Sequence, residues 1–300
     1  MKKKLEKTGA QTLVDALAKA GTEVLFGYPG GTVLDIFNCL PEAPFQFVLG
    51  RHEQGSVHMA DGYARATGKP GVVLVTSGPG ATNTITGLAT ANMDGVPLVC
   101  ITGQVPISQI GTDAFQEADT IGITRAVSKH NFLVQNADEI PETVAEAFYI
   151  ATHGKPGPVV IDVPKNVQKQ LTKAQYPERV SLRAYHPEST ATGAQMARLA
   201  KMINEAERPV IYAGGGVIAS GASKDVAAIA RKAGIPVATT MMGLGSFPET
   251  DPLALGLSGM HGSAAANRAI DNADFILALG VRFNDRVTGK LAKYAKRAKI

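Results

Sequence analysis

Apolar residues come in short runs, each closed by glycine or polar residues and followed by a stretch at helical spacing. Val24-Leu25-Phe26-Gly27, Phe47-Val48-Leu49, Val72 to Thr76, Pro97 to Ile101 and Val159 to Val163 read as buried strands. Thr8 to Ala20, Val33 to Leu40, a segment spaced by Gly55, Met59, Gly62 and Ala66, the stretch after Asn83 to about Asn92, and Asp138 to Thr152 read as helices. Thr8 caps the first helix and Gly21 ends it. The pattern weakens from Ile107 to His130, where Asp113 to Asp119 is polar with one aromatic and predicts a surface or site-lining segment. Gln168 to Thr192 is polar, carries Pro177 and Pro187, and predicts a linker.

A second series follows: helix Gly193 to Glu205, strand Pro209 to Ala213, helix Ser223 to Ala233 and strand Ile235 to Thr240. An irregular Gly-rich stretch Met241 to Gly262, helix Ser263 to Asp271 and strand Asp274 to Gly280 complete it. Strands alternating with helices predict an α/β fold of two doubly wound parallel-sheet domains. The expected boundaries are 8–167 and 193–300, joined by a linker over 168–192. The second series stops without its next element, so the expectation is one part of a longer polypeptide.

Composition narrows the class without changing this picture. Hydrophobic residues make up 45% and charged residues 19% of the 300, ordinary for a globular chain with a real core. The net charge of +4 comes partly from lysines clustered at the two ends, with no basic stripe of interleaved aromatics. Nucleic acid is therefore not an expected partner. No signal peptide and no membrane-spanning run is found, and Cys39 and Cys100 sit among apolar residues as reduced thiols would. The expected location is the cytoplasm.

Candidate chemistry lies where strands end. Arg51-His52-Glu53 arrives after an apolar strand and before a helix, the carboxyl end at which open parallel sheets bind ligands. A glutamate there also suits the helix N-terminus, and the residue alone leaves both readings open. Gly30-Gly31 follows the strand at Val24, and serves either close approach to a ligand or a sharp turn. The Gly214-Gly215-Gly216 turn lacks G-x-G-x-x-G spacing, and the next strand ends in Thr239-Thr240, with no acidic residue for a ribose hydroxyl. A nicotinamide-dependent dehydrogenase is thereby disfavoured.

Seven stretches together resemble one family. They are Gly27-Tyr28-Pro29-Gly30-Gly31, Arg51-His52-Glu53-Gln54-Gly55, Thr76 to Asn83, Thr102 to Pro106, Phe115 to Asp119, Gly259-Met260-His261-Gly262 and Arg282-Phe283-Asn284-Asp285-Arg286. The chain from Thr8 onward resembles the large catalytic subunit of the acetolactate synthase family, thiamine-diphosphate enzymes that also bind FAD. The first five stretches are shared across thiamine-diphosphate enzymes, and the last two narrow the match.

The resemblance implies a pyrimidine-binding domain followed by a Rossmann-like central FAD domain. It implies decarboxylation of pyruvate and ligation to a second 2-oxoacid, pyruvate or 2-oxobutyrate, as in branched-chain amino acid synthesis. Glu53 matches the glutamate beside the aminopyrimidine ring nitrogen, which exchanges a proton with the cofactor. Tyr28, Gly30 and Gly31 match the cofactor's reactive side, and Pro79 and Asn83 its pyrimidine pocket. Gln116, with Phe115, matches a residue reaching the substrate, and Lys165 a lysine at the substrate entrance. Lys165 taken alone reads equally as a solvated lysine after a strand.

FAD is implied to lie across Gly214, Gly215, Gly216, Thr240, Met241, Met260, His261, Gly262, Gly280, Val281, Arg282 and Arg286. Lys155 stands where the family commonly has arginine before a Pro-Gly-Pro turn, and supplies charge without the planar fork. The family's Gly-Asp-Gly…Asn stretch, which holds Mg²⁺ and the diphosphate, does not occur here, so no metal ligand is expected in these residues. A homodimer with its active site between subunits is implied, and a regulatory small subunit is a further partner the family admits. Competing readings are another thiamine-diphosphate decarboxylase or carboligase, and a non-catalytic nucleotide-binding module.

Overall fold

A computed structural model describes residues 6–187 and 190–300. The chain divides into two compact units, with the division at Glu188 and Ser189.

The first unit holds strands β1 (Lys7–Thr8), β2 (Val24–Gly27), β3 (Gln46–Leu49), β4 (Gly71–Val75), β5 (Leu98–Gln104), β6 (His130–Leu133), β7 (Pro158–Pro164) and β8 (Leu171–Thr172). Six form one parallel sheet in the order β3-β2-β4-β5-β7-β6. Every residue of β4, β5 and β7 is buried, as expected of strands covered on both faces. Side chains alternate between the two cores. Val72 and Leu74 face the helices Gly9–Lys19 and Ile140–Thr152, whereas Val73 and Val75 face Glu53–Thr67 and Ile85–Asp94. Helices on both faces make this a doubly wound fold.

The second unit holds β9 (Pro209–Ala213), β10 (Val237–Thr239), β11 (Ala254–Leu257) and β12 (Phe275–Leu279), parallel in the order β11-β10-β9-β12. Ile211 and Ala213 pack toward helix Ser223–Ala233, and Val210 and Tyr212 toward helix Ala264–Asn272. Both units have the expected α/β architecture.

Several details differ from the sequence reading. β6 lies in the segment where no strand is expected, and β11 lies inside the stretch expected to be irregular. Both are sheet edges with one neighbour, so neither has the fully buried run that marks a central strand. The helix expected over Val33 to Leu40 is one turn, Leu34–Phe37, followed by a tighter turn containing Pro41, which has no amide hydrogen to continue a helix. The start of the expected linker 168–192 belongs to the first unit. Gln168 is fully buried, and β8 pairs antiparallel with β1.

Candidate active site

In the first sheet the chain winds outward from β2 to β3, then returns to place β4 on the other side of β2. The loops after β2 and β4 therefore diverge and leave a crevice at the sheet's carboxyl edge, the ligand position of open α/β sheets. Glu53 opens the helix that follows β3, whose N-terminus is capped by His52 Nδ1 accepting from the Gln54 amide at 3.1 Å. Asn83 ends the short helical turn Pro79–Thr82 that follows β4. Its Nδ2 donates to Glu53 Oε2 at 2.9 Å.

Glu53 is half-buried, and no cation pairs with it among the described residues. The other oxygen, Oε1, lies 3.5 Å from where a Cβ on Gly80 would stand. The carboxylate is thus anchored by one oxygen at the open edge of the sheet rather than neutralised inside it.

A network of hydroxyls fixes the turn after β2. Thr32 and Thr76 share a hydrogen bond between their Oγ1 atoms at 2.9 Å, and the Ser77 amide donates to Thr32 Oγ1 at 3.0 Å. Gln168 Nε2 donates to the Thr32 carbonyl at 2.7 Å. Gly30 packs so closely on Thr76 that a Cβ would come within 2.4 Å of its side chain, whereas a Cβ on Gly31 would meet nothing within 4 Å. Gly30 therefore serves packing, and Gly31 leaves open space beside the half-exposed Tyr28.

Gln116 adopts a left-handed backbone with φ of 58°. Its carbonyl packs on Gly78, where a Cβ would lie 2.4 Å from the oxygen. Glu117 braces the same loop by accepting from the Gly111 amide and from the Ala114 amide at 3.0 Å. These backbone bonds hold its carboxyl below the usual range. Phe115 projects outward, 87% exposed.

Two expected site residues stand apart from Glu53. Lys165 follows β7, four inter-strand steps from β3, or about 19 Å at roughly 4.8 Å per step. Lys155 precedes β7 and so sits at the opposite, amino edge of the sheet, with its Nζ donating to the Asn92 carbonyl at 3.0 Å.

Sequence reasoning assigned no role to Asp162, Gln104 and Thr102. Asp162 on β7 is 1% exposed and accepts from Thr102 Oγ1 at 2.6 Å and Gln104 Nε2 at 3.0 Å. Burial, with a smaller push from Asp119, raises its carboxyl to about 7. The available signal was an aspartate inside an apolar strand run, but its partners lie 58 and 60 residues away.

In the second unit the switch point lies between β9 and β12. Gly214 and Gly216 pack on Gly280 there. Their amides donate to the carbonyls of Leu279 at 2.9 Å and Gly280 at 3.1 Å. A Cβ on Gly216 would lie 2.6 Å from Gly280 Cα. Gly215 faces Met242, and Thr240 Oγ1 accepts from the Gly243 amide at 3.0 Å at the end of β10, just before the exposed Met241. Met260, His261 and Gly262 follow β11, and the Met260 amide donates to the Arg286 carbonyl at 2.8 Å. Val281 and Arg282 follow Gly280 after β12. The candidate flavin residues of this unit thus share one sheet edge. Among the described residues no group of three or more His, Cys, Asp or Glu is placed to hold a metal ion. No helix of the described residues is long and apolar enough to cross a membrane.

Comparison with known proteins identifies the two domains. Residues 7–123 match the model of the thiamine pyrophosphate enzyme N-terminal TPP binding domain, and residues 196–300 that of the thiamine pyrophosphate enzyme central domain. The chain is 50% identical over 295 residues to a probable acetolactate synthase large subunit of Methanocaldococcus jannaschii, covering 97% of this chain and 50% of that protein. It is 50% identical over 296 residues to the acetolactate synthase isozyme 3 large subunit of Escherichia coli, covering 98% and 52% respectively. It is also 50% identical over 296 residues to the chloroplastic acetolactate synthase 3 of Brassica napus, covering 97% and 45%. The chain spans about half the length of the curated relatives it matches. Two successive domains of one enzyme type, with such identity along nearly the whole chain, establish that it belongs to the thiamine pyrophosphate enzymes and is a homologue of acetolactate synthase large subunits.

Proposed function

We propose that this chain supplies the pyrimidine-binding and flavin-binding parts of an acetolactate synthase. That enzyme decarboxylates pyruvate and joins the two-carbon unit to pyruvate or 2-oxobutyrate. The observation that carries the reading is the Glu53 carboxylate at the first switch point, held through Oε2 by Asn83, with no protein hydrogen bond to Oε1 among the described residues.

The residues present fit the aminopyrimidine of thiamine diphosphate. Glu53 offers a carboxyl oxygen to a ring nitrogen, Gly31 leaves the backbone open, and Pro79 and Asn83 form the adjoining wall. When bound, thiamine diphosphate supplies the carbon nucleophile that adds to a 2-oxoacid carbonyl. Glu53 takes and returns a proton at Oε1, and the Asn83 bond fixes its orientation so that the proton path stays short. Gln116 reaches toward the second substrate from its braced loop. Lys165 offers its ammonium to a substrate carboxylate from the helix that follows β7.

FAD fits the second edge, where Gly214, Gly216 and Gly280 bring backbone to backbone and Arg282 and Arg286 bring positive charge. The Lys155 ammonium rests on the Asn92 carbonyl and supplies charge without the planar fork of an arginine. Mg²⁺ and the diphosphate are assigned to residues outside this chain. The assembly we propose is a homodimer in the cytoplasm, able to take a regulatory small subunit.

The test is acetolactate formation from pyruvate by the intact enzyme, with Glu53→Gln beside it. Wild-type production of acetolactate, lost in the variant, supports the reading. Release of free aldehyde instead of a ligated product moves the assignment to a decarboxylase. A flavin spectrum without turnover identifies a non-catalytic module.

A further inference from the structure

The loop carrying Gln116 has no regular structure, yet it holds two non-glycine residues, Asp113 and Gln116, in the left-handed region. For Gln116 such a backbone is unfavourable and persists only where neighbours enforce it. Glu117 braces the loop from within. A second tether comes from the interior of the sheet. Gln104, at the end of β5 and 2% exposed, donates from Nε2 to the Ala118 carbonyl at 3.0 Å and to Asp162 Oδ2 at 3.0 Å. Its Oε1 accepts from the Val105 amide at 2.9 Å, so the amide group cannot flip without losing a bond. Thr102 holds the far oxygen of Asp162. Thr120, 2% exposed, also lies within 3.5 Å of Gln104 Nε2.

We propose that Asp162 and Gln104 are a positioning pair that seats the Gln116 loop on the carboxyl edge of the first sheet. Asp162 fixes Gln104 between β5 and β7, and Gln104 grips the loop two residues past Gln116. A carboxyl group buried in a sheet is costly unless its oxygens are satisfied. Here they are satisfied by two polar residues of β5, one of which reaches outward to the loop. The inference rests on the reading of Gln116 as a substrate contact, but its test does not.

Amide hydrogen exchange of the purified protein reads the tether directly. Gln104→Met keeps the volume and removes the grip on Ala118. Asp162→Ala removes the anchor behind it. Both are expected to speed exchange across residues 113–119 by roughly tenfold or more while β4, β5 and β7 keep their protection. Chymotryptic cleavage after the exposed Phe115 rises in parallel. Asp162→Asn, which can still pair with both Thr102 and Gln104, restores slow exchange.

Unchanged exchange in a folded Gln104→Met overturns the proposal. So does acceleration spread evenly over the sheet, which marks general destabilisation. If Asp162→Ala does not fold, Gln104→Met decides alone. A loosened loop with full turnover keeps the positioning pair and removes Gln116 from the reaction instead.

Discussion

Asn83 Nδ2 meets Glu53 Oε2 at 2.9 Å, although thirty residues separate the two in the chain. The contact joins the loop after β4 to the helix after β3 across the intervening β2. It makes the carboxylate a fixed group instead of a solvated one, and it links the two residues energetically.

That linkage is measurable. Glu53→Gln is expected to lower kcat by roughly a hundredfold or more, the range for losing a general acid–base group. Asn83→Ala is expected to lower it by roughly tenfold through misorientation of Glu53. Because the two act as a unit, the double variant should be no slower than Glu53→Gln alone. Steady-state kinetics of the four proteins provides the check, and multiplicative losses would separate the roles.

Two glycines near this contact should respond in opposite ways. Gly31→Ala meets open space, so stability should move by less than about 0.5 kcal/mol. Affinity for thiamine diphosphate should fall if the cofactor approaches that backbone. Gly78→Ala must adopt φ of 55° and press on the Gln116 carbonyl, so it should cost about 2 kcal/mol or more. Urea unfolding and a cofactor titration distinguish the two.

Asp162 gives the fold a pH signature. Burial raises its carboxyl to about 7, above the unfolded value, so the folded state binds the proton more tightly. The stabilisation from this group is fully present below about pH 4 and is lost as pH rises through about 7. Thermal unfolding of the wild type should weaken between pH 5 and 8 relative to Asp162→Asn, which does not titrate. Parallel curves for the two proteins would refute the assignment.

The second unit offers an independent check on the flavin. Gly280 has φ of 59°, and a Cβ there would lie 2.6 Å from Gly216 Cα. Gly280→Ala should push the two loops apart and remove flavin absorbance from the purified protein while the first unit keeps its protection against hydrogen exchange. Retained flavin at wild-type stoichiometry would place the flavin elsewhere.

The sequence by itself determined the alternation of strands and helices, the α/β class and the strand-end positions of Glu53, Asn83 and Gly214 to Gly216. Those features are local, since hydrophobic period and glycine punctuation act over a few residues. It left β6 and β11 unread, because an edge strand is only half covered and carries no continuous apolar run.

Only the tertiary structure decided that Glu53 meets Asn83 and that Asp162 reaches the Gln116 loop through Gln104. Strand order sets each of these. A parallel sheet brings together loops that are distant in sequence, and no local pattern encodes which strand lies beside which.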